Sequence, residues 1–221
     1  MTTTHPHAHH LRYMLTAEDY AALRDWLMSV APNCRTTGIH TLRFASYRNA
    51  LPSPEGQNWA EQYFSLHYYD NDPSYLRLVR QRGGEHTYTI IAEAECRALL
   101  AGETDWLLER RNPVLQDFHS CLTNRMLLPQ VLLSYQREIH RMDTPDLWFA
   151  LDTNIRSSLE HMHFLDPDLL ERDSFEHEGQ FLLEVSYSDD IPDDMLCTFE
   201  ERAPRRKLLP SLPATPAYLP A

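Results

Sequence analysis

The sequence predicts an α+β protein whose body is an antiparallel sheet flanked by helices. Three observations carry that reading. Several segments alternate apolar and polar residues with the period of a strand. Other segments repeat apolar residues at helical spacing. The reversal Asp70–Pro73 (DNDP) joins two alternating segments as a hairpin.

The elements follow in order. Residues 1–9 read as a flexible polar leader, and the first strand starts near His10. The histidines of that region, His5, His7, His9 and His10, form a tract of a kind that can hold a metal, although a flexible leader is the simpler reading. Thr16 caps a helix, with Asp19 at the third helical position as a variant capping box. Tyr20, Leu23, Leu27 and Val30 repeat at helical spacing until Pro32 ends the run. Thr41 to Arg48 alternates as a strand, and Leu51–Gly56 is a loop with two prolines and a glycine. Tyr63, Ser65, His67 and Tyr69 share one strand face, with Phe64, Leu66 and Tyr68 on the other. Ser74 to Gln81 is the returning strand. Ala92 to Ala101 is helical and stops at Gly102, and a helical turn covers Asp105–Arg110. Pro113 opens a helix with Leu115, Phe118 and Leu122 on one face. Gln130–Ile139, Leu147–Leu151 and Phe181–Tyr187 are strands, with an acidic loop over Glu160–Gln180. A helix beyond Pro192 would be interrupted by Pro204, and residues 209–221 form a proline-rich tail.

Composition narrows the function. A chain of 221 residues with 43% hydrophobic content is most simply one domain plus its ends. No apolar run approaches the roughly 20 residues that span a bilayer, and the N-terminus has no signal-type stretch. Cys34, Cys96, Cys121 and Cys197 lie far apart with no CxxC, which suits buried thiols in a reducing compartment better than a disulfide frame or a zinc site. The expected compartment is the cytoplasm. A net charge of −12 argues against broad nucleic-acid binding, which needs Lys and Arg to neutralise phosphates. A local basic cluster for a small anion remains compatible with it. Among the 20 basic residues Lys207 is the single lysine.

Four segments then stand out: LLAGETDWLLERRNPVLQDF from Leu99, LLPQVLLSYQRE from Leu127, LWFALDTNIRSS from Leu147 and FLLEVSY from Phe181. In that order and spacing they resemble the VTC domain of polyphosphate polymerases, of the triphosphate-tunnel (CYTH-like) group. The resemblance covers most of residues 10–208. It implies an antiparallel β-barrel whose inward side chains hold phosphates and a metal, so the charges fall at alternate strand positions.

Residue by residue, the resemblance implies Arg137 and Lys207 as catalytic cations. It implies Arg12, Tyr135, Arg137, Arg156 and Lys207 as substrate contacts, with Glu184 and Asp152 as ligands of Mn²⁺ or Mg²⁺. Tyr135 and Arg137 match the family's Tyr-x-Arg-Glu, and Glu184 matches the acid of Leu-Glu-Val-Lys-Tyr. Asp152 and Arg156 match the Thr-x-Asp and Ile-Arg positions. His10-Leu11-Arg12-Tyr13 stands for Glu-Leu-Lys-Tyr, and Arg206-Lys207-Leu208 for Ser-Lys-Tyr. Other family charges are replaced: Ser186 and Trp148 stand for a lysine and an arginine, Ser65 and His67 for an Arg-x-Arg, and Val79 for an acid.

The implied activity transfers the γ-phosphoryl group of ATP to polyphosphate. Losing one preorganised electrostatic partner typically costs about 10²–10³ in rate, although such losses are not additive. A weakened or inactive polymerase is therefore expected. Three readings stay open: an active polymerase, a degenerate tunnel that binds polyphosphate or another small anion, and a structural or partner-binding module. A separate membrane protein as partner is also open. Simpler roles stand beside each site role. Arg137 and Glu138 could form a cross-strand ion pair, Asp152 and Arg156 could order a turn, and Arg80 and Arg82 could be a solvated face.

Overall fold

The computed structural model describes residues 9–46, 62–82, 85–125, 127–142, 147–166, 168–169 and 175–187. The expected loop at Leu51–Gly56, the segment beyond Pro192, Lys207 and the tail lie outside these residues, as does the leader except His9. The elements are β1 (His9–Leu15), α1 (Ala17–Val30), β2 (Cys34–Ser46), β3 (Gln62–Tyr69), β4 (Asp72–Arg82), β5 (Glu85–Ile91), α2 (Glu93–Leu100), α3 (Trp106–Glu109), α4 (Pro113–Arg125), β6 (Leu127–Arg141), β7 (Trp148–Ser158), β8 (Phe175–Glu176) and β9 (Phe181–Tyr187). A 3₁₀ turn covers His161–Leu165. The nine strands form one sheet in the order β1-β9-β7-β6-β2-β3-β4-β5, with β8 added beside β7. This is the antiparallel sheet with helices that the sequence predicts.

The chain divides into two compact units. The first contains Ile39–Ser134 and Ser157–Phe175. The second contains the described parts of His5–Gly38, Tyr135–Arg156 and Glu176–Ala221. Strands β2 and β6 each contribute residues to both.

In the second unit, α1 starts at a full capping box. The Thr16 hydroxyl accepts from Asp19 N–H at 3.2 Å, and the Asp19 carboxylate accepts from Thr16. The antiparallel register pairs Arg12 with Glu184 and Glu184 with Ala150. Alternation then sorts the side chains. Leu15, Leu183, Val185, Phe149 and Leu151 turn to one face and pack with Leu23 and Leu27 of α1. Burying a Leu of this kind contributes about 1.5–3 kcal/mol. Arg12, Glu184 and Ala150 are left on the opposite face.

In the first unit, β3 and β4 close a hairpin through Asp70 and Asn71, whose φ values of 52° and 58° are those of a two-residue type I′ turn. The turn is tighter than the expected four residues because Asp and Asn tolerate this region. Leu42, Phe64, Leu66, Leu76 and Leu78 share a face and bury against Leu115 and Phe118 of α4. That helix begins as expected: Asn112 Oδ1 accepts from Val114 N–H at 2.9 Å, and Pro113 follows as the first helical residue.

Some boundaries differ from the expectation. β2 begins at Cys34, seven residues before the first clear alternation, because its early part is Thr- and Gly-rich. β5 had no counterpart in the sequence reading. β7 runs on through Asn154, which adopts φ 51° inside the strand. The turn expected around Asp152 and Arg156 is thus a kinked strand continuation, and β8 pairs with it inside the segment read as a loop.

Candidate functional site

The polar face of the second unit gathers five of the residues named from sequence. Arg137 lies on β6, and its Nε and Nη2 donate to the two oxygens of Asp152 at 2.6 and 2.7 Å. The same Nη2 is 3.1 Å from Glu184 Oε2, and Arg12 Nη2 is 3.6 Å from Glu184 Oε1. Arg137 and Glu184 are each 3% exposed, and Asp152 is also buried. The Tyr135 ring lies 5.5 Å from the Arg137 guanidinium carbon, in cation–π range. Arg137 Nη1 is buried and has no hydrogen-bond partner among the described residues.

Local rules explain the convergence. Glu184 and Arg12 are cross-strand partners, so their side chains emerge on the same face. Asp152 lies two residues beyond Ala150, Glu184's other partner, and shares that face. On β6, alternation sends Arg137 toward these carboxylates and Glu138 to the other side, where Arg24 Nε donates to it at 3.0 Å. Arg137 and Glu138 are therefore not paired with each other.

Burial sets the electrostatics. Desolvation would lower the Arg137 pKa, yet Asp152, Tyr135 and Glu184 hold it well above the usual guanidinium value. Desolvation pushes the Asp152 carboxyl up from its ordinary value, Arg137 pulls it down, and Glu184 adds to the rise. Two arginines face two carboxylates, so the cluster is close to neutral as a whole. Taking one member away leaves a buried charge uncompensated.

The remaining site residues fall elsewhere. Arg156 reaches Glu176 of β8 at 2.9 Å in an exposed pair. Lys207 lies outside the described residues. Ser186 is buried and Trp148 half-buried, cross-strand partners next in register to Glu184 and Ala150.

The first unit carries its own polar face, opposite its core. His67 is buried between two hydroxyls, with Thr41 Oγ1 at 2.9 Å from Nδ1 and Ser65 Oγ at 2.7 Å from Nε2. Arg77, Cα partner of His67, is 3% exposed, and its guanidinium carbon lies 5.0–5.1 Å from the ring centres of Tyr69, Tyr75 and Tyr88. Sequence reasoning missed this buried cation. The signal was present: Arg77 sits two positions before Val79 and so shares its face. Arg80, on the opposite phase, pairs with Asp117 of α4 rather than facing solvent alone.

No family model matches the sequence, and no curated protein matches it significantly. Solved structures do. A Hippeastrum protein named as an adenylyl cyclase, and described as having a dominant triphosphatase activity, is 11% identical over 89% of this chain and 88% of its own, with a TM-score of 0.51. A Bacillus halodurans protein named as an adenylate cyclase is 13% identical, covering 87% of this chain and 85% of its own with a TM-score of 0.45. A Pyrococcus horikoshii protein is 11% identical, covering 88% of each chain with a TM-score of 0.44. The first likeness shows a shared fold and nothing finer. That fold agrees with the triphosphate-tunnel architecture implied by the sequence resemblance, and it does not reach the VTC subfamily. No helix among the described residues is long and apolar enough to cross a membrane.

Proposed function

We propose that this chain binds a phosphate-chain anion, ATP or polyphosphate, through Arg137 and Arg12, and that its phosphoryl transfer to polyphosphate is weak or absent. One observation carries the reading: the buried Arg137–Asp152–Glu184–Arg12 cluster, in which an arginine keeps one donor, Nη1, beyond those its carboxylates use. Structural ion pairs seldom leave a buried guanidinium donor over, because an unsatisfied buried polar group costs about 1–3 kcal/mol. Phosphate oxygens would satisfy it, and the planar guanidinium suits them. Tyr135 keeps the guanidinium in place from its face. The triphosphatase activity described for the Hippeastrum protein is in line with an anion of this class.

The same cluster argues for weak turnover. With its two arginines already balanced, it offers little net positive charge to a multiply charged substrate. Ser186 and Trp148 stand where the resemblance implies two more cations. Arg156 would have to leave Glu176 to contribute, and the role of Lys207 stays an expectation from the resemblance.

A divalent metal would supply the missing charge, and carboxylate oxygens suit Mn²⁺ or Mg²⁺. The donor set fits in part. Glu184 lies at ion-pair distance from Arg12 and Arg137 and would be the ligand, whereas both Asp152 oxygens already accept from Arg137. Held by Glu184, the ion would supply positive charge to offset that of the phosphates. Asp152 is then a positioning residue that fixes the plane of the Arg137 fork.

A structural role for the cluster is the second reading, favoured by the same bidentate pair. Calorimetric titration with inorganic tripolyphosphate, with and without Mn²⁺, separates the two. The expected result is Mn²⁺-assisted binding that falls at least tenfold in Arg12→Ala, with little polyphosphate formed from ATP. Absence of binding, or binding by Arg12→Ala and Arg137→Ala as tight as that of the wild type, selects the structural role. Abundant polyphosphate that disappears in Arg137→Ala would overturn the weak-transfer half.

A further inference from the structure

On the side of β6 opposite Arg137, Glu138 and His140 are neighbours at strand spacing and both buried. His140 Nδ1 lies 3.0 Å from the carbonyl oxygen of Ala31. A carbonyl only accepts, so Nδ1 carries a proton and donates to it. In the neutral ring Nε2 is then a lone pair, and it points at Glu138 Oε1 from 2.7 Å. Two acceptors at that distance require something positive between them. A proton shared between His140 and Glu138 is one such bridge.

A third donor makes a proton only one of two solutions. Cys34 Sγ, at the start of β2, lies with Glu138 and His140 so that the three ligand atoms are within 4.8 Å of one another. The other oxygen of Glu138 accepts from Arg24 Nε at 3.0 Å, and Cys34 Sγ is 3.8 Å from the Met28 thioether. We propose that Cys34, Glu138 and His140 form a binding site for a thiophilic divalent cation of the zinc class.

The chemistry of the set supports that assignment. Thiolate, imidazole and carboxylate are the ligand types zinc takes, and three protein donors leave a fourth position for water or for the Met28 sulfur. Zinc–ligand bonds of about 2.0–2.3 Å place tetrahedral donors roughly 3.4–3.6 Å apart. The His140–Glu138 pair must open by under an ångström, and the sulfur must close by up to about 1.2 Å. The outer contacts have the form that orients metal ligands. A backbone carbonyl fixes the histidine tautomer, and an arginine holds the carboxylate. Cys34 is half-buried, which gives an ion a route in. On binding, the ion takes the place of the proton between His140 and Glu138 and of the thiol proton, and both protons leave to solvent. Sequence spacing hid the set, because Cys34 is far along the chain from the Glu138-x-His140 pair.

Titrating the reduced full-length chain with Co²⁺ tests the site. The expected result is a thiolate-to-cobalt charge-transfer band that saturates at one equivalent, is bleached by Zn²⁺, and is lost in Cys34→Ser. The histidines at the N-terminus can bind Co²⁺ but cannot give a thiolate band. Zn²⁺ should also raise the melting temperature of the wild type and leave that of Cys34→Ser unmoved. A wild type with no thiolate band overturns the proposal, as does a band that persists in Cys34→Ser.

Discussion

Each compact unit buries an arginine on its polar face, and the two are held in different ways. Arg137 is locked by carboxylates: a bidentate pair with Asp152 and a second acid, Glu184, beside it. Arg77 is surrounded by the rings of Tyr69, Tyr75 and Tyr88, each centred about 5 Å from its guanidinium carbon. Carboxylates cancel charge, whereas π faces stabilise it without cancelling it. Carboxylate pairing also makes each partner depend on the other, so loss of one is costly. An aromatic cage spreads the dependence over several weaker contacts.

Asp152→Ala is expected to have the largest effect. Stranding the buried Arg137 should cost about 3–5 kcal/mol in urea unfolding. The double variant Arg137→Met with Asp152→Leu should lose much less, since it removes both charges and keeps volume. Equal losses in the two proteins would sink the ionic account of Arg137. Arg77→Met is the matching change in the other unit, with an expected loss of about 1–3 kcal/mol from several partial contacts. A loss as large as that of Asp152→Ala would mean that contacts other than the tyrosine rings dominate at Arg77.

The smallest expected effect is one of pH. His40 donates from Nε2 to Asn71 Oδ1 at 2.6 Å and stacks on Tyr68, with ring centres 4.4 Å apart. Burial lowers its pKa from the usual histidine value, with Asn71 and Asp70 opposing. Below about pH 6.5 the unfolded chain therefore binds a proton that the folded ring resists. Stability from His40 is complete above that value and is lost as pH falls toward the folded pKa, by at most about 1.4 kcal/mol per pH unit. Urea midpoints at pH 7.5 and 5.5 should converge in His40→Gln relative to wild type. An unchanged pH slope would remove His40 as its source.

Period-2 alternation made much of this arrangement legible. It placed Arg137 and Tyr135 on one face of β6, and the spacing of the LLEVSY segment placed Glu184. It also separated Phe64, Leu66 and Tyr68, now core, from Ser65 and His67. What it could not give was pairing. Whether Arg137 meets Asp152 of the next strand or Glu184 of β9 depends on the register between strands. Asn154 concealed the length of β7, since an Asn in the left-handed region reads as a turn wherever it occurs. Arg77 was overlooked because the basic residues after it, Arg80 and Arg82, drew the strand's phase toward the other side. The Cys34 cluster was illegible for the same reason as the ion network: its members meet only after β2 and β6 are in place.

The hairpin turn at Asp70 and Asn71 has a consequence in time. Its two strands are consecutive in the chain, so their pairing closes the shortest of loops, on the scale of about 1–10 μs for an isolated hairpin. β1 and β9 stand near opposite ends of the described chain, and their register must be found across almost all of it. Contacts between residues so distant are the slow ones in folding. Ser65, His67 and Arg77 are thus arrayed on local information, while Arg12 meets Glu184 only when the long-range search is over.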